Sequence, residues 1–210
     1  MCACCSISSG NTGIFSADGG DSPGRYKVDM VGEMAYNSPV KIVPLFSSEQ
    51  IAAGVQRVAG EVQAHFGATE PVIALCLLNG AVWFAADLLR LLPVNFELHT
   101  LRLSSYEGMA SSGQLQWHGL LPECRGKRVL VIDDVLDTGL TLREVSAALR
   151  AAGAVDVASA VAITKQGCNK SGYTADFCAL YCGGEFLVGY GLDFNGRYRN
   201  LPYIGYVPAP

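Results

Sequence analysis

The chain is predicted to form an α/β domain: a mainly parallel, twisted sheet with helices on both faces and a small hood or flap from the tail. Three observations predict this. Short apolar runs alternate with segments of helical spacing along most of the sequence, the pattern left by parallel strands and crossover helices. Val129-Leu130-Val131-Ile132, too short for a helix but long enough for a buried strand, ends in Asp133-Asp134. Turn chemistry then follows at Asp137-Thr138-Gly139, and helical spacing begins at Leu140. Acids and hydroxyls thus fall at the carboxyl end of a strand, facing a helix N-terminus. Open α/β sheets bind ligands there, and free N–H groups and the helix dipole favour a phosphate.

The elements can be justified in chain order. Residues 1–38 are rich in Ser, Gly, Asn and Asp with little periodicity, so a poorly ordered extension is expected there, docked at most locally around Tyr26 to Tyr36. Residues 39–210 are expected to form one domain. Ser47-Ser48-Glu49-Gln50 opens a helix to about Phe66, with Ile51, Val55, Val58 and Val62 on one face. Pro71 precedes a central strand over 72–78, Leu78-Asn79-Gly80 is a turn, and 81–92 is an apolar helix. Residues 96–103 read as a strand and 104–117 mainly as a loop or flexible hairpin. The motif strand spans 128–135, and its helix spans 140–152 and stops at Gly153. Strands are expected at 155–164, 175–180 and 185–189, and no internal repeat is present.

Composition narrows the function. The 210 residues suffice for a full core, and half of them are hydrophobic. A net charge of −4 gives no general electrostatic footprint for nucleic acid. No apolar stretch reaches the length of a membrane span and no charged n-region opens the chain, so no membrane association and a cytoplasmic location are expected. Of eight Cys, three lie in Met1-Cys2-Ala3-Cys4-Cys5 and are expected to be exposed thiols of a tail. Cys76 lies in an apolar run as a small hydrophobe. Cys178 and Cys182 lack a second metal-spaced pair or a neighbouring His, so zinc is not expected.

The segment from Asp133 to Thr141 carries the sharpest chemistry. Two adjacent carboxylates at a buried strand end repel one another unless something cationic or hydroxylated visits, and a sugar diol wants paired acceptors. A dianionic phosphate wants N–H and O–H donors with no Cβ in the way. A plain helix cap would explain Asp137 alone. The segment resembles the phosphoribosyl-pyrophosphate motif of the type I phosphoribosyltransferases, and four further places narrow the resemblance to the 6-oxopurine, or hypoxanthine-guanine, members, especially bacterial ones. These are Leu78-Asn79-Gly80, Ser104-Ser105-Tyr106-Glu107-Gly108, Lys165, and the run from Glu185 to Asp193 with Arg197-Tyr198-Arg199 beyond it. The resemblance covers roughly residues 40 to 207.

The resemblance implies a set of roles. The loop backbone from Val135 and Leu136 through Asp137, Thr138, Gly139, Leu140 and Thr141, with its Thr hydroxyls, would hold a 5′-phosphate. Asp133 and Asp134 would hold the ribose 2′- and 3′-hydroxyls, and with Asp193 they are the candidate ligands for Mg2+. Leu78, Asn79 and Gly80 would present backbone N–H groups to pyrophosphate, often through a cis peptide. Ser105 and Tyr106 would head a mobile loop that excludes water from an oxocarbenium-like transition state. Lys165 would donate to the purine O6 and Phe186 would stack on the ring. Leu187 and Val188 would line the base edge, the former through its backbone, and Arg199 would contact pyrophosphate. The implied reaction joins hypoxanthine or guanine to phosphoribosyl pyrophosphate, N9 attacking C1′ with inversion and Asp137 acting as general base at N7. This chain departs from the family in two places: Asn79 stands where a Lys or Arg is usual, and Leu140 where some relatives carry Lys. A transferase for xanthine or adenine, and a regulatory protein on the same fold that senses nucleotide, are the competing readings. A dimer or tetramer is expected by resemblance.

Overall fold

A computed structural model describes residues 40–93, 95–105 and 115–208. The extension at 1–38 and Tyr106 of the expected mobile loop lie outside the described residues. Among the described residues nine strands and three helices follow in the order β1 (Val43–Phe46), α1 (Ser48–Phe66), β2 (Val72–Leu78), α2 (Val82–Leu91), β3 (Phe96–Ser105), β4 (Leu115–His118), β5 (Arg128–Leu136), α3 (Leu140–Ala151), β6 (Asp156–Lys165), β7 (Phe177–Cys182), β8 (Phe186–Val188) and β9 (Ile204–Val207).

The larger sheet has six strands in the order β4-β3-β2-β5-β6-β7, parallel except for antiparallel β4. The sequence explains why both faces are covered. β2 and β5 are apolar at successive positions, so alternate residues supply both faces. Val72, Ala74, Cys76, Leu130 and Ile132 pack with Val55, Val58 and Val62 of α1 and Phe84 and Leu88 of α2. Ile73, Leu75, Val129 and Val131 pack on the opposite face with Leu142, Val145 and Leu149 of α3. Phe84 and Leu88 are completely buried, each contributing about 1.5–3 kcal/mol relative to an exposed side chain.

α1 begins where the sequence marks it. Ser47 Oγ accepts from Gln50 N–H at 3.3 Å, and Gln50 Oε1 accepts from Ser47 N–H at 2.9 Å, a complete capping box. Ser47→Ala is expected to cost about 1 kcal/mol. Thermal denaturation checks this, with an expected fall in Tm of about 2–4 °C for a chain of this size.

Several features differ from the sequence reading. β3 runs on to Ser105 and β4 takes up Leu115–His118, within the stretch 104–117 expected mainly as a loop or flexible hairpin, because the two pair antiparallel from Arg102 opposite His118 to Ser105 opposite Leu115. β7 starts at Phe177 rather than at 175, because the Asp176 carboxylate accepts from Ser159 N–H (2.7 Å) and Ser159 Oγ (3.0 Å) and so holds the chain off the ladder. The ladder then opens with Phe177 opposite Ala160. The hood is a three-stranded antiparallel sheet of order β1-β9-β8, so the segment before α1 belongs to it together with the tail.

The strand order places the site. β2 lies between β3 and β5, and the chain winds in opposite directions from it. The crevice beyond the carboxyl ends of β2 and β5 is the topological switch point of the sheet. It receives Leu78-Asn79-Gly80 from β2 and Asp133 to Thr141 from β5 and the start of α3.

Candidate active site

The switch point holds a cavity of about 290 Å³, lined by Leu78, by every residue from Asp133 to Gly139 and by Thr141. Sequence reasoning missed three of its walls, Leu77, Leu103 and Leu142. They are ordinary apolar residues of β2, β3 and α3, and nothing in their type marks them.

Asp133 and Asp134 sit at the end of β5, where their carboxylates accept from the next backbone amides: Asp134 N–H to Asp133 Oδ1 at 3.0 Å and Val135 N–H to Asp134 Oδ1 at 2.8 Å. Burial raises the pKa of Asp133 well above the ordinary carboxylate range, and the charge of Asp134 adds to it. Burial raises Asp134 as well, opposed by the Val135 amide and by the positive charge of Arg199. The two acids thus sit in an environment that resists full ionisation of the pair, suited to meeting hydroxyls or a cation. Beneath them Cys76 faces the same pair, and burial followed by their charges pushes its thiol up to about 12, leaving an unreactive small hydrophobe.

The turn after β2 meets Asp134 directly. The Leu78–Asn79 peptide is cis, as the resemblance implies. A Cβ at position 80 would overlap Asp134 Oδ2, so any residue but Gly would have to displace that carboxylate. Asn79 itself is exposed.

The loop after β5 turns into α3 through Gly139, the N-cap, whose φ of 77° is a left-handed conformation that glycine adopts without strain. Thr138 Oγ1 accepts from Leu140 N–H at 3.5 Å. The loop therefore meets the cavity with backbone donors and the Thr138 and Thr141 hydroxyls, while Leu140 starts the helix and does not line the cavity.

Lys165, at the end of β6, lies 3.2 Å from Asp137 Oδ2. Its side chain is 13% exposed against 47% for Asp137. The two were read separately from the sequence, twenty-eight positions apart, and the parallel pairing of β5 with β6 brings them together. Phe186 is 52% exposed and meets Phe194 in a T-shaped contact at 5.7 Å, so about half of its surface is open to a ligand. Leu187 and Val188 behave differently. Their side chains are buried in the hood against β9, and only their backbone can meet a ligand.

Asp193 and Arg199 form an ion pair at 2.7 Å, and the other Asp193 oxygen accepts from Gly196 N–H at 2.7 Å. Arg199 also donates to Gly191 O. Gly191 lies against the Gly80 carbonyl, so the segment from Tyr190 to Arg199 closes over the β2 turn. Tyr190 pins this closure, its hydroxyl donating to Asp87 of α2 at 2.9 Å. Nothing in the sequence announced that tie. Ser105 ends β3. No helix among the described residues is long and apolar enough to cross a membrane.

A model of the phosphoribosyl transferase domain matches residues 45–195, most of the chain and the whole of this cavity. The hypoxanthine-guanine phosphoribosyltransferase of Aquifex aeolicus is 36% identical over 166 residues, covering 78% of this chain and 93% of its own.

The chain belongs to the hypoxanthine-guanine phosphoribosyltransferase family.

The family's enzyme of Bacillus subtilis is 34% identical over 77% of this chain and 90% of its own. The hypoxanthine-guanine-xanthine phosphoribosyltransferase of Tritrichomonas foetus is 32% identical over 77% of this chain. A crystal structure of the hypoxanthine phosphoribosyltransferase of Staphylococcus aureus superposes with a TM-score of 0.76 at 28% identity, covering 84% of this chain and 97% of that one. Membership of this type I phosphoribosyltransferase family makes the chain an enzyme, a pentosyltransferase, rather than a binding protein on the same fold, and its mostly parallel α/β architecture is that of its relatives.

Proposed function

We propose that the enzyme transfers phosphoribosyl from phosphoribosyl pyrophosphate to hypoxanthine or guanine, yielding the nucleoside 5′-monophosphate and pyrophosphate. The observation that carries this reading is the Asp137–Lys165 pair at 3.2 Å beside the phosphate loop. It supplies an acceptor for a purine N7 proton and, next to it, an ammonium donor for a 6-oxo group. A 6-amino group would set donor against donor.

The purine stacks on the exposed ring of Phe186, with the Leu187 and Val188 backbone along its edge. The 5′-phosphate takes the loop amides and the Thr138 and Thr141 hydroxyls. Asp133 and Asp134 hold the ribose diol and favour positive charge developing at C1′. Asp137 stabilises or takes the N7 proton as N9 attacks. Leu78, Asn79 and Gly80 meet the pyrophosphate with backbone donors, Arg199 turns toward it from its ion pair, and Ser105 and Tyr106 head the loop that closes over the reaction.

Magnesium fits this donor set. No three acids or other ligand side chains converge into a cage among the described residues. Mg2+, however, is commonly held by one or two carboxylates plus substrate oxygens. Asp193, with a 31% exposed side chain, buried Asp133 and half-buried Asp134 are the residues that would hold it. When bound, it would neutralise charge on the leaving pyrophosphate. A cytoplasmic dimer or tetramer is the matching expectation for location and assembly.

Calorimetric titration with inosine, guanosine, xanthosine and adenosine 5′-monophosphates tests the base reading. Inosine and guanosine monophosphate should bind tightest, and preference for adenosine monophosphate would refute it. The similarity to the Tritrichomonas foetus enzyme favours xanthine as a second base, and the same titration ranks it. Phe186→Ala should raise KM for the base roughly tenfold, since base–aromatic stacking is worth ~1–3 kcal/mol. Initial-rate kinetics would expose an unchanged KM and so exclude stacking.

A further inference from the structure

We infer that Asn169 is a positioning residue for phosphate binding, acting through a second loop that sets the orientation of the Thr138–Gly139 peptide. This rests on the reading of residues 137–141 as the phosphate site.

Residues 166–173 lie directly behind the phosphate loop. Lys170 N–H and Ser171 N–H both donate to the Thr138 carbonyl, each at 3.1 Å. A trans peptide is planar, with its C=O and N–H pointing in opposite directions. Two donors that hold the Thr138 oxygen toward the second loop therefore turn the Gly139 N–H the other way, into the cavity that Thr138, Gly139 and Thr141 line. An anion site needs its donors aimed before the ligand arrives.

Asn169 organises the two donors. Its Oδ1 accepts from Ser171 N–H (3.1 Å), Gly172 N–H (3.0 Å) and Ser171 Oγ (3.2 Å), while its Nδ2 donates to the Tyr173 carbonyl. The fold of the second loop is thus written around one side-chain amide, an Asx turn extended by a donor at its far end. Ser171 Oγ also accepts from Tyr173 N–H at 3.1 Å, and it occupies the space where a Cβ at position 139 would go. The far end is anchored in the core. Tyr173 OH donates to Ser159 Oγ of β6 at 3.0 Å, lies 3.0 Å from Ser146 Oγ of α3, and Ser159 Oγ donates onward to Asp176. The loop is therefore held by the sheet and by the helix whose N-terminus faces the phosphate. Asn169 itself is exposed and stands behind Gly139, on the side of that residue where a Cβ would project, and it is not one of the residues that line the cavity.

The experiment compares guanosine 5′-monophosphate with guanosine, titrated calorimetrically into the full-length wild type, Asn169→Ala and Asn169→Asp. Asn169→Ala should weaken guanosine monophosphate about tenfold, the scale of a hydrogen bond to a charged group, and guanosine by much less. Asn169→Asp keeps an acceptor for the Ser171 and Gly172 amides but exchanges the Nδ2 donor for an exposed negative charge. At high ionic strength, which screens that charge, it should therefore recover most of the affinity that Asn169→Ala loses under the same conditions. The backbone amide signal of Gly139 in a nitrogen-proton spectrum should move in Asn169→Ala without ligand. A merely structural role would lower Tm while leaving the ratio of the two affinities and the Gly139 signal at wild-type values, and that result overturns the inference. If the wild type binds neither ligand, the phosphate-site reading fails, and the inference fails with it. If the wild type binds guanosine monophosphate and both variants match it, the inference alone fails.

Discussion

Asp137→Asn is expected to lower kcat by ~10²–10⁴-fold, the usual worth of a positioned general acid or base, with KM for base and phosphoribosyl pyrophosphate changed far less. Asn preserves the shape of the side chain and of the loop, so the loss isolates the charge and the proton acceptor. A second consequence needs separating from it. Lys165 is largely buried, and Asp137 is its ion-pair partner at 3.2 Å. Removing the carboxylate leaves a poorly solvated ammonium next to the base position. If Asp137 served only to neutralise Lys165, the double variant Asp137→Asn with Lys165→Gln would regain kcat. If Asp137 is the proton acceptor, the double variant stays as slow as the single one. Steady-state kinetics on wild type, both single variants and the double variant decides between them, with Lys165→Gln alone giving the cost of losing the donor to the 6-oxo group. A kcat for Asp137→Asn no lower than that of a neutral surface substitution would remove Asp137 from the chemistry altogether.

Gly80→Ala should damage both stability and turnover. The added methyl would overlap Asp134 Oδ2. That carboxylate is half-buried beside Asp133 and its other oxygen is held by the Val135 amide at 2.8 Å, so it can yield only by breaking that bond and swinging into the cavity it lines. Overpacking of this kind typically costs about 1–3 kcal/mol. Displacing the turn or the acid by about 1 Å can cost ~10²-fold in kcat/KM when either positions substrate. Denaturant unfolding combined with initial-rate kinetics measures both effects. Placing Gly80→Ala in an Asp134→Ala background should erase most of its stability cost, since the clash partner is gone. An equal stability cost in both backgrounds would mean that the turn, and not its contact with Asp134, determines the need for glycine.

Much of this site was legible because its determinants are local. The run 129–132 followed by Asp133-Asp134 and Thr138-Gly139 encodes strand, acid pair and helix start within about a dozen positions, and periodicity and turn chemistry read such segments directly. β2 was found at its full extent for the same reason, seven apolar residues bounded by Pro71 and a turn. What was missed is non-local. The hood pairs β1 with β9 across most of the chain through four-residue strands and a register shift at Pro44 to Phe46, too short and too irregular to announce itself. The antiparallel strand β4 lies in a polar stretch whose alternation is weak. The Asp137–Lys165 contact, the Tyr190–Asp87 tie and the Asn169 loop depend on which strands become neighbours. Residue type alone marks Asn169 as a turn former and says nothing of the loop that it supports.

The most direct test of the central claim is a single turnover assay. Purified enzyme, magnesium and phosphoribosyl pyrophosphate are offered hypoxanthine, guanine, xanthine and adenine in parallel, and pyrophosphate release is followed. Turnover of hypoxanthine or guanine well above that of adenine is the predicted result. No turnover of any 6-oxopurine by folded enzyme, or faster turnover of adenine, would contradict it.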